Sequence, residues 1–403
     1  MKIIISAAAL ALGAAAPALA QTATAPAPVQ PAASQPKISN KVRPALVALQ
    51  TAVNANDVAN IPALVAAANA AASTADDRYV IGQLQLKAAL AANDLTAVAA
   101  AANAVAASRF LDTARTIELH KSVAGTFLKA KQFGPAVAQL ERASALAPAD
   151  QSLQLLIADV RLAEGRKGDA AAVYQRVLKA SQARGQKAEE SLYRRAVQAA
   201  YDAKLPSAPD LARQWVAAYP SADSWRNSIA IYRNSSNADI ESTVDLMRLM
   251  RANNALTRGN ELGLYVNALI GQSNFIEAQS ALEQVARLPD VDASGIQNLR
   301  ATVAGKPKVT AAELTSAAKS AQSGMALLRI GDRFYGLGDY AKAAETFRAA
   351  AAKGADANLV KLRTGIALAM AGDKAGATAE LKAVKGARAG VAQLWLLHLQ
   401  NRG

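Results

Sequence analysis

The chain has 403 residues, an apolar fraction of 52% that is mostly Ala, 4% aromatics, no Cys, two His and a formal net charge of +14. The absence of Cys excludes disulfides, thiol chemistry and a lipid-modified Cys, and two His exclude zinc sites of the usual kind. A core this rich in Ala and poor in aromatic and β-branched residues suits closely packed helices and argues against a sheet.

Residues 1–20 read as a secretory signal. Lys2 gives the positive start, residues 3–16 the apolar stretch, and Ala18-Leu19-Ala20 the small-residue cleavage site before Gln21. The competing reading is a membrane anchor, but the stretch is short for roughly 30 Å of hydrocarbon. The expected compartment is the periplasm of a two-membrane bacterium, with secretion beyond the cell as the alternative. Residues 21–40 are dominated by Ala, Pro, Thr, Gln and Ser, a mixture that does not offset ordering entropy, so a disordered tether is expected. The positive excess lies mainly after about residue 160. For an exported chain it points to acidic proteins, anionic lipid headgroups or wall polymers and away from nucleic acid. Solvated helix faces would give the same excess.

Residues 41–289 read as a degenerate array of helix pairs. Ala55-Asn56-Asp57 with Ala66 to Asn69 recurs as Ala92-Asn93-Asp94 with Ala100 to Asn103. These aromatic-poor helices bury little area each, at about 25 cal/mol per Å², and are expected to be the least stable part. Ala124, Phe127, Ala136, Leu140, Ala143 and Pro148 are followed in register by Ala158, Ala170, Tyr174 and Val177. Ala196 and Ala199 begin a further unit whose turn departs from the pattern. Trp225 and Tyr232 mark another, and Asn274-Phe275, Ala278, Leu282 and Val285 one more. Residues 290–323 form an irregular helical connector, either a hinge or an irregular unit, in which Thr310 and Glu313 are spaced as a capping box. In residues 324–403, Gly331, Gly338, Asp339, Ala343 and Phe347 recur 34 residues later as Gly365, Gly372, Asp373, Ala377 and Leu381. Val391, Leu394, Trp395 and His398 then share one helical face with Leu397 beside them. A capping helix is the expected reading, against a dimerisation or membrane-binding face.

This period and these small and aromatic positions resemble the tetratricopeptide repeat family, most clearly in Leu327, Ile330-Gly331, Phe334, Ala343, Phe347 and Ala350. The resemblance implies an all-α fold, an α-solenoid of helix pairs wound as a right-handed superhelix and closed by a C-terminal capping helix. It also implies that the first helix of each pair lines a concave groove holding a protein or peptide partner. The exposed groove positions carried over are Lys121, Lys129, Tyr193, Arg194, Arg226, Asn227, Arg233, Asn267, Asp332 and Tyr335. Arg and Asn among them suit a carboxylate or a peptide backbone. The family's carboxylate clamp of Lys and Asn across adjacent units is not reproduced.

Catalytic constellations are not expected. His120 and His398 sit on helix faces with packing roles. Asp76-Asp77 and Glu189-Glu190 diverge by about 100° on a helix, so helix-start stabilisation fits them, with Ser73 and Asp76 at a cap-like spacing. No phosphate-binding loop or nucleophile elbow is present. The sequence therefore predicts a non-catalytic scaffold with no cofactor and no metal. Adhesion to an anionic envelope polymer or lipid surface is its alternative.

Overall fold

The computed structural model describes residues 35–283 and 293–401. The expected signal, residues 21–34 of the tether and the start of the expected connector lie outside them. The described residues form helices and turns with no strand, so the fold is an all-α solenoid of consecutive helix hairpins. The chain divides into two compact units between Val173 and Tyr174.

The first unit contains α1 (Arg43–Asn54), α2 (Ile61–Ala71), α3 (Ala75–Ala91), α4 (Leu95–Ala107), α5 (Thr113–Lys129), α6 (Phe133–Leu146) and α7 (Gln151–Ala163); the division falls within α8 (Lys167–Ala183). One turn geometry recurs. Asn56, Asn93, Lys131 and Gly165 adopt positive φ. In each case the next residue donates its N–H to the carbonyl five residues back: Asp57 to Ala52, Asp94 to Ala89, Gln132 to Phe127 and Arg166 to Arg161. This C-terminal bond satisfies a carbonyl the helix leaves unpaired. Asn tolerates the left-handed conformation, so the two Ala-Asn-Asp echoes are the same turn built twice. Small side chains then let the helices approach closely: a Cβ on Gly82 would meet Val105 Cγ2 at 2.8 Å.

Asp77 anchors the start of this unit. Its buried carboxylate accepts from the Ser39 N–H (2.9 Å), the Ser39 hydroxyl (2.8 Å), the Ser73 N–H (3.0 Å) and the Thr74 N–H (3.1 Å). Burial pushes its pKa up, but these donors outweigh burial and hold it well below the usual carboxylate range. The N-cap is Thr74 paired with Asp77, one residue beyond the expected Ser73 and Asp76. Asp76 instead accepts the Lys37 N–H at 2.6 Å.

The second unit continues with α9 (Glu190–Asp202), α10 (Ala208–Ala218), α11 (Ala222–Ser236), α12 (Ile240–Ala252), α13 (Gly259–Gly271), α14 (Phe275–Leu282), α15 (Ala293–Ala304), α16 (Ala311–Ser320), α17 (Gly324–Gly336), α18 (Tyr340–Ala351), α19 (Ala357–Ala371), α20 (Lys374–Lys382) and α21 (Ala389–Asn401). The same turn recurs at Lys204, Ser273, Gly338 and Gly372, including the turn whose sequence departs from the family pattern. Thr310 and Glu313 form the expected capping box of α16. The clear repeat pair has the expected close contact: a Cβ on Gly331 would meet the Phe347 ring at 2.5 Å, and one on Gly365 would meet Leu381 Cγ at 2.7 Å.

Two helices depart from an open array. Every residue of α12 from Ser242 to Met250 is buried, and α19 is buried along Leu359 to Ala369 apart from half-buried Lys361. Helix α21 does more than cover the last hairpin. It packs on α20 and also reaches α10 and α12, where Trp395 Nε1 donates to the Asp245 carbonyl at 3.1 Å. The second unit thus closes on itself around α12.

Candidate partner-binding surface

The first helices of the C-terminal hairpins, α17 and α19, present polar residues where the resemblance places a groove, and that space is occupied by α12. Arg248 lies at its centre, fully buried. Its guanidinium donates to both Glu277 oxygens on α14 (2.8 and 2.6 Å), to Asp332 on α17 (3.1 Å) and to Asp245 one turn earlier (3.2 Å). Arg363 of α19, also buried, pairs with Asp332 at 2.7 Å, with Asp245 at 3.5 Å and with Glu241. Arg329 of α17 bridges Glu241 (2.6 Å) and Asp332 (3.5 Å). Tyr265 of α13 donates to Glu277 at 2.5 Å, and Tyr335 stacks on Arg248 at 4.2 Å. Burial, reinforced by the neighbouring Glu277 carboxylate, pushes the Tyr265 hydroxyl far above its usual range. Glu241 is pushed up by burial and down more strongly by Arg363 and Arg329, so it lies below the carboxylate range.

Asp332 and Tyr335, expected as exposed groove positions, are therefore corrected. They are 0% and 7% exposed and bind the chain's own α12. Tyr193 is corrected in the same way: it is 3% exposed and packs edge-on against Tyr219 at 6.0 Å between ring centres. For Asp332 and Tyr335 spacing alone could not reveal this, because a residue facing a groove and one facing a helix seated in that groove share the same register; Tyr193 is instead covered by the Tyr219 ring at the end of α10.

The remaining positions in this unit lie on α9, α11 and α13. Arg194 is exposed, donates to Glu190 at 3.0 Å and lies 5.5 Å from the Trp215 ring. Arg226 of α11 and Glu261 of α13 form an ion pair of 3.5 Å that ties the two helices together. Burial raises the Glu261 pKa despite the opposing charges of Arg226, Arg233 and Arg258, which places these cations around one carboxylate. Arg233 donates to Asn234 at 3.2 Å, and Asn234 in turn donates to the Tyr201 hydroxyl of α9 at 3.1 Å. Asn227 is half-buried and donates to the Asp223 carbonyl at 2.8 Å, while Asn267 is exposed. On α13, Asn260, Leu264 and Asn267 follow helical spacing and are all exposed. The structure thus brings Arg226 and Arg233 together around Glu261, with Asn227 next to Arg226 on α11 and Asn267 exposed on α13, whereas the contacts of Arg194 are with Glu190 and Trp215. It adds Glu261, Asn234, Asn260 and Leu264, which sequence reading missed. Helical spacing from Asn227 to Asn234 and from Asn267 back to Leu264 and Asn260 was the available signal.

Lys121 and Lys129 belong to the first unit. Lys121 pairs with Glu118 at 2.7 Å, and Lys129 is exposed at the end of α5. Both His have packing partners. His120 Nδ1 lies 2.8 Å from Gln139 Oε1, and His398 Nδ1 lies 2.8 Å from Asn253 Oδ1, with the His398 ring edge-on to Trp225 and Trp395. Among the described residues no group of three His, Cys, Asp or Glu is arranged to hold a metal ion.

No protein-family model matches the chain, and no curated protein does. Among solved structures it is similar to the TPR2AB-domain:pHSP90 complex of yeast Sti1, at 14% identity over 72% of this chain and 96% of that one, with a TM-score of 0.26. It is similar to a tetratricopeptide repeat protein from Parabacteroides merdae, at 10% identity over 72% of this chain and 99% of that one, with a TM-score of 0.29. A third similarity is to Naa15/Naa10 bound to HypK-THB, at 12% identity over 87% of this chain and 64% of that one, with a TM-score of 0.33. These likenesses concern the fold alone, and its description as a tetratricopeptide-like solenoid stands on the hairpin turns and the Gly331–Phe347 and Gly365–Leu381 contacts.

Proposed function

We propose that the protein is an exported, non-catalytic scaffold that holds a protein or peptide partner on the exposed face of α9, α11 and α13. The observation that carries this reading is the pair of neighbouring first helices, joined by Arg226 and Glu261, that present Arg233, Asn234, Asn260, Leu264 and Asn267. Asn side chains both donate and accept and so match a peptide backbone, while Arg suits a carboxylate. Leu264 is 37% exposed and offers apolar contact beside them. The corresponding faces of α17 and α19 bind α12 instead, which favours the earlier helices for a partner.

Export rests on the sequence pattern of residues 1–20, and the proposed compartment is the periplasm. The test is a photoreactive side chain placed at Asn267 or, as a control, at Lys179 on α8, followed by crosslinking in the chain's own envelope. One protein partner trapped at Asn267 and absent at Lys179 supports the scaffold reading. Trapping at both positions that vanishes at high salt would support diffuse adhesion to an anionic polymer or lipid surface instead.

A further inference from the structure

The charges enclosed around α12 do not balance. Ion pairs join three guanidinium groups, Arg248, Arg329 and Arg363, to four carboxyl groups, Glu241, Asp245, Glu277 and Asp332. With every group ionised the cluster carries one excess negative charge in a space from which Arg248, Arg363, Asp245, Glu277 and Asp332 are essentially closed to solvent. Uncompensated charge in such a place is costly, and a group relieves it by taking up a proton.

The geometry singles out which group. Glu277 accepts on both oxygens, from Arg248, Tyr265 and Asn274. Asp332 accepts from Arg248 on one oxygen and from Arg363 on the other. Glu241 accepts from Arg329 on both and from Arg363. Asp245 has one oxygen near Arg248 and Arg363, and its other oxygen is buried without a partner.

We propose that Asp245 is held protonated in the closed second unit at neutral pH, so that packing of α19 and α21 around α12 is a proton-linked event. The charged groups facing it are Arg248 and Glu241 on its own helix, Arg363 on α19 and Asp332 on α17; α21 contributes the Trp395 indole on its backbone carbonyl. Burial raises the Asp245 pKa, Arg363 and Arg248 oppose this, and Asp332 and Glu241 add to it. A folded pKa above the unfolded one means that the group's stabilisation is full below about pH 3.9 and is lost as pH rises through the folded value. Closure of the second unit therefore weakens as pH rises from about 4 to the folded pKa.

The deciding experiment is infrared spectroscopy of the intact mature chain with isotope-labelled aspartate, which separates Asp from Glu carboxyl bands. A protonated aspartic acid band at pH 7 that disappears in D245N is the expected result. The absence of any such band in the native wild-type chain overturns the proposal without reference to a variant. Folding equilibria give a second readout: between about pH 4 and the folded pKa, wild type should lose stability relative to D245N by up to tenfold in the equilibrium constant per pH unit. A pH dependence identical in the two chains contradicts the assignment.

Discussion

Arg248 and Asp332 are separated by 84 residues of sequence and by 3.1 Å in the fold, and this contact closes the second unit. Asp332 occupies a groove position of the clearest repeat, and the groove's occupant is another helix of the same chain. Asp332→Ala removes the carboxylate that accepts from both Arg248 and Arg363, leaving Asp245 as the acid the two guanidinium groups share. Breaking a buried ion pair costs about 3–5 kcal/mol, so the variant should unfold at markedly lower denaturant. Urea titration followed by circular dichroism checks this, and a midpoint equal to wild type would mean that the cluster does not hold the unit together.

Gly331→Leu tests the register of the repeat core. Even a Cβ at this position meets the Phe347 ring at 2.5 Å. Overpacking of this kind costs roughly 1–3 kcal/mol or more, so the melting temperature should fall. Unchanged melting would place Gly331 away from the helix contact.

Asp77 gives the first unit an acid sensitivity. Its folded pKa is depressed, so its stabilisation is present above the unfolded value of about 3.9 and is lost as pH falls toward the folded value. Denaturant midpoints measured from pH 7 down to pH 3 should decline more steeply for wild type than for Asp77→Asn. Parallel curves would show that the Ser39, Ser73 and Thr74 bonds do not favour the ionised form.

The proposed export has its own check. Amino-terminal sequencing of the protein from its source cells should find Gln21 first. Retention of Met1 on membrane-bound protein would overturn the proposed compartment.

The helical fold was legible because its determinants are local. The Ala-rich composition, the Gly331 and Gly365 positions and the turn residues act within one hairpin, and all lie in sequence at a regular period. Lys204 and Ser273 made turns as regular as Gly338 because the turn is held by backbone hydrogen bonds, so residue identity there is permissive. The interior of the second unit was not legible. Arg248 to Glu277, Asp332 to Arg363 and Trp395 to Asp245 link elements 29, 31 and 150 residues apart, and no repeat period encodes such pairings. This is why Asp332 and Tyr335 read as surface positions. Arg226 lies on a first helix, α11, as its register implied, but its link to Glu261 depends on how adjacent hairpins stack.

The measurement that bears most directly on the account is partner capture by an Arg233→Ala/Asn267→Ala chain. Arg226 is left in place because its 3.5 Å pair with Glu261 ties α11 to α13; half-buried Arg233 adds only a longer-range charge at that carboxylate and Asn267 is exposed, and surface changes of this kind usually alter stability within about 0.5 kcal/mol. Helical content and melting should therefore match wild type, while affinity for the partner trapped at Asn267 should fall about tenfold, corresponding to about 1.4 kcal/mol of binding energy. Arg176→Ala, an exposed α8 position that removes the same charge, should leave affinity unchanged. Undiminished affinity in the double variant, or an equal loss in Arg176→Ala, would contradict a binding face on α9, α11 and α13.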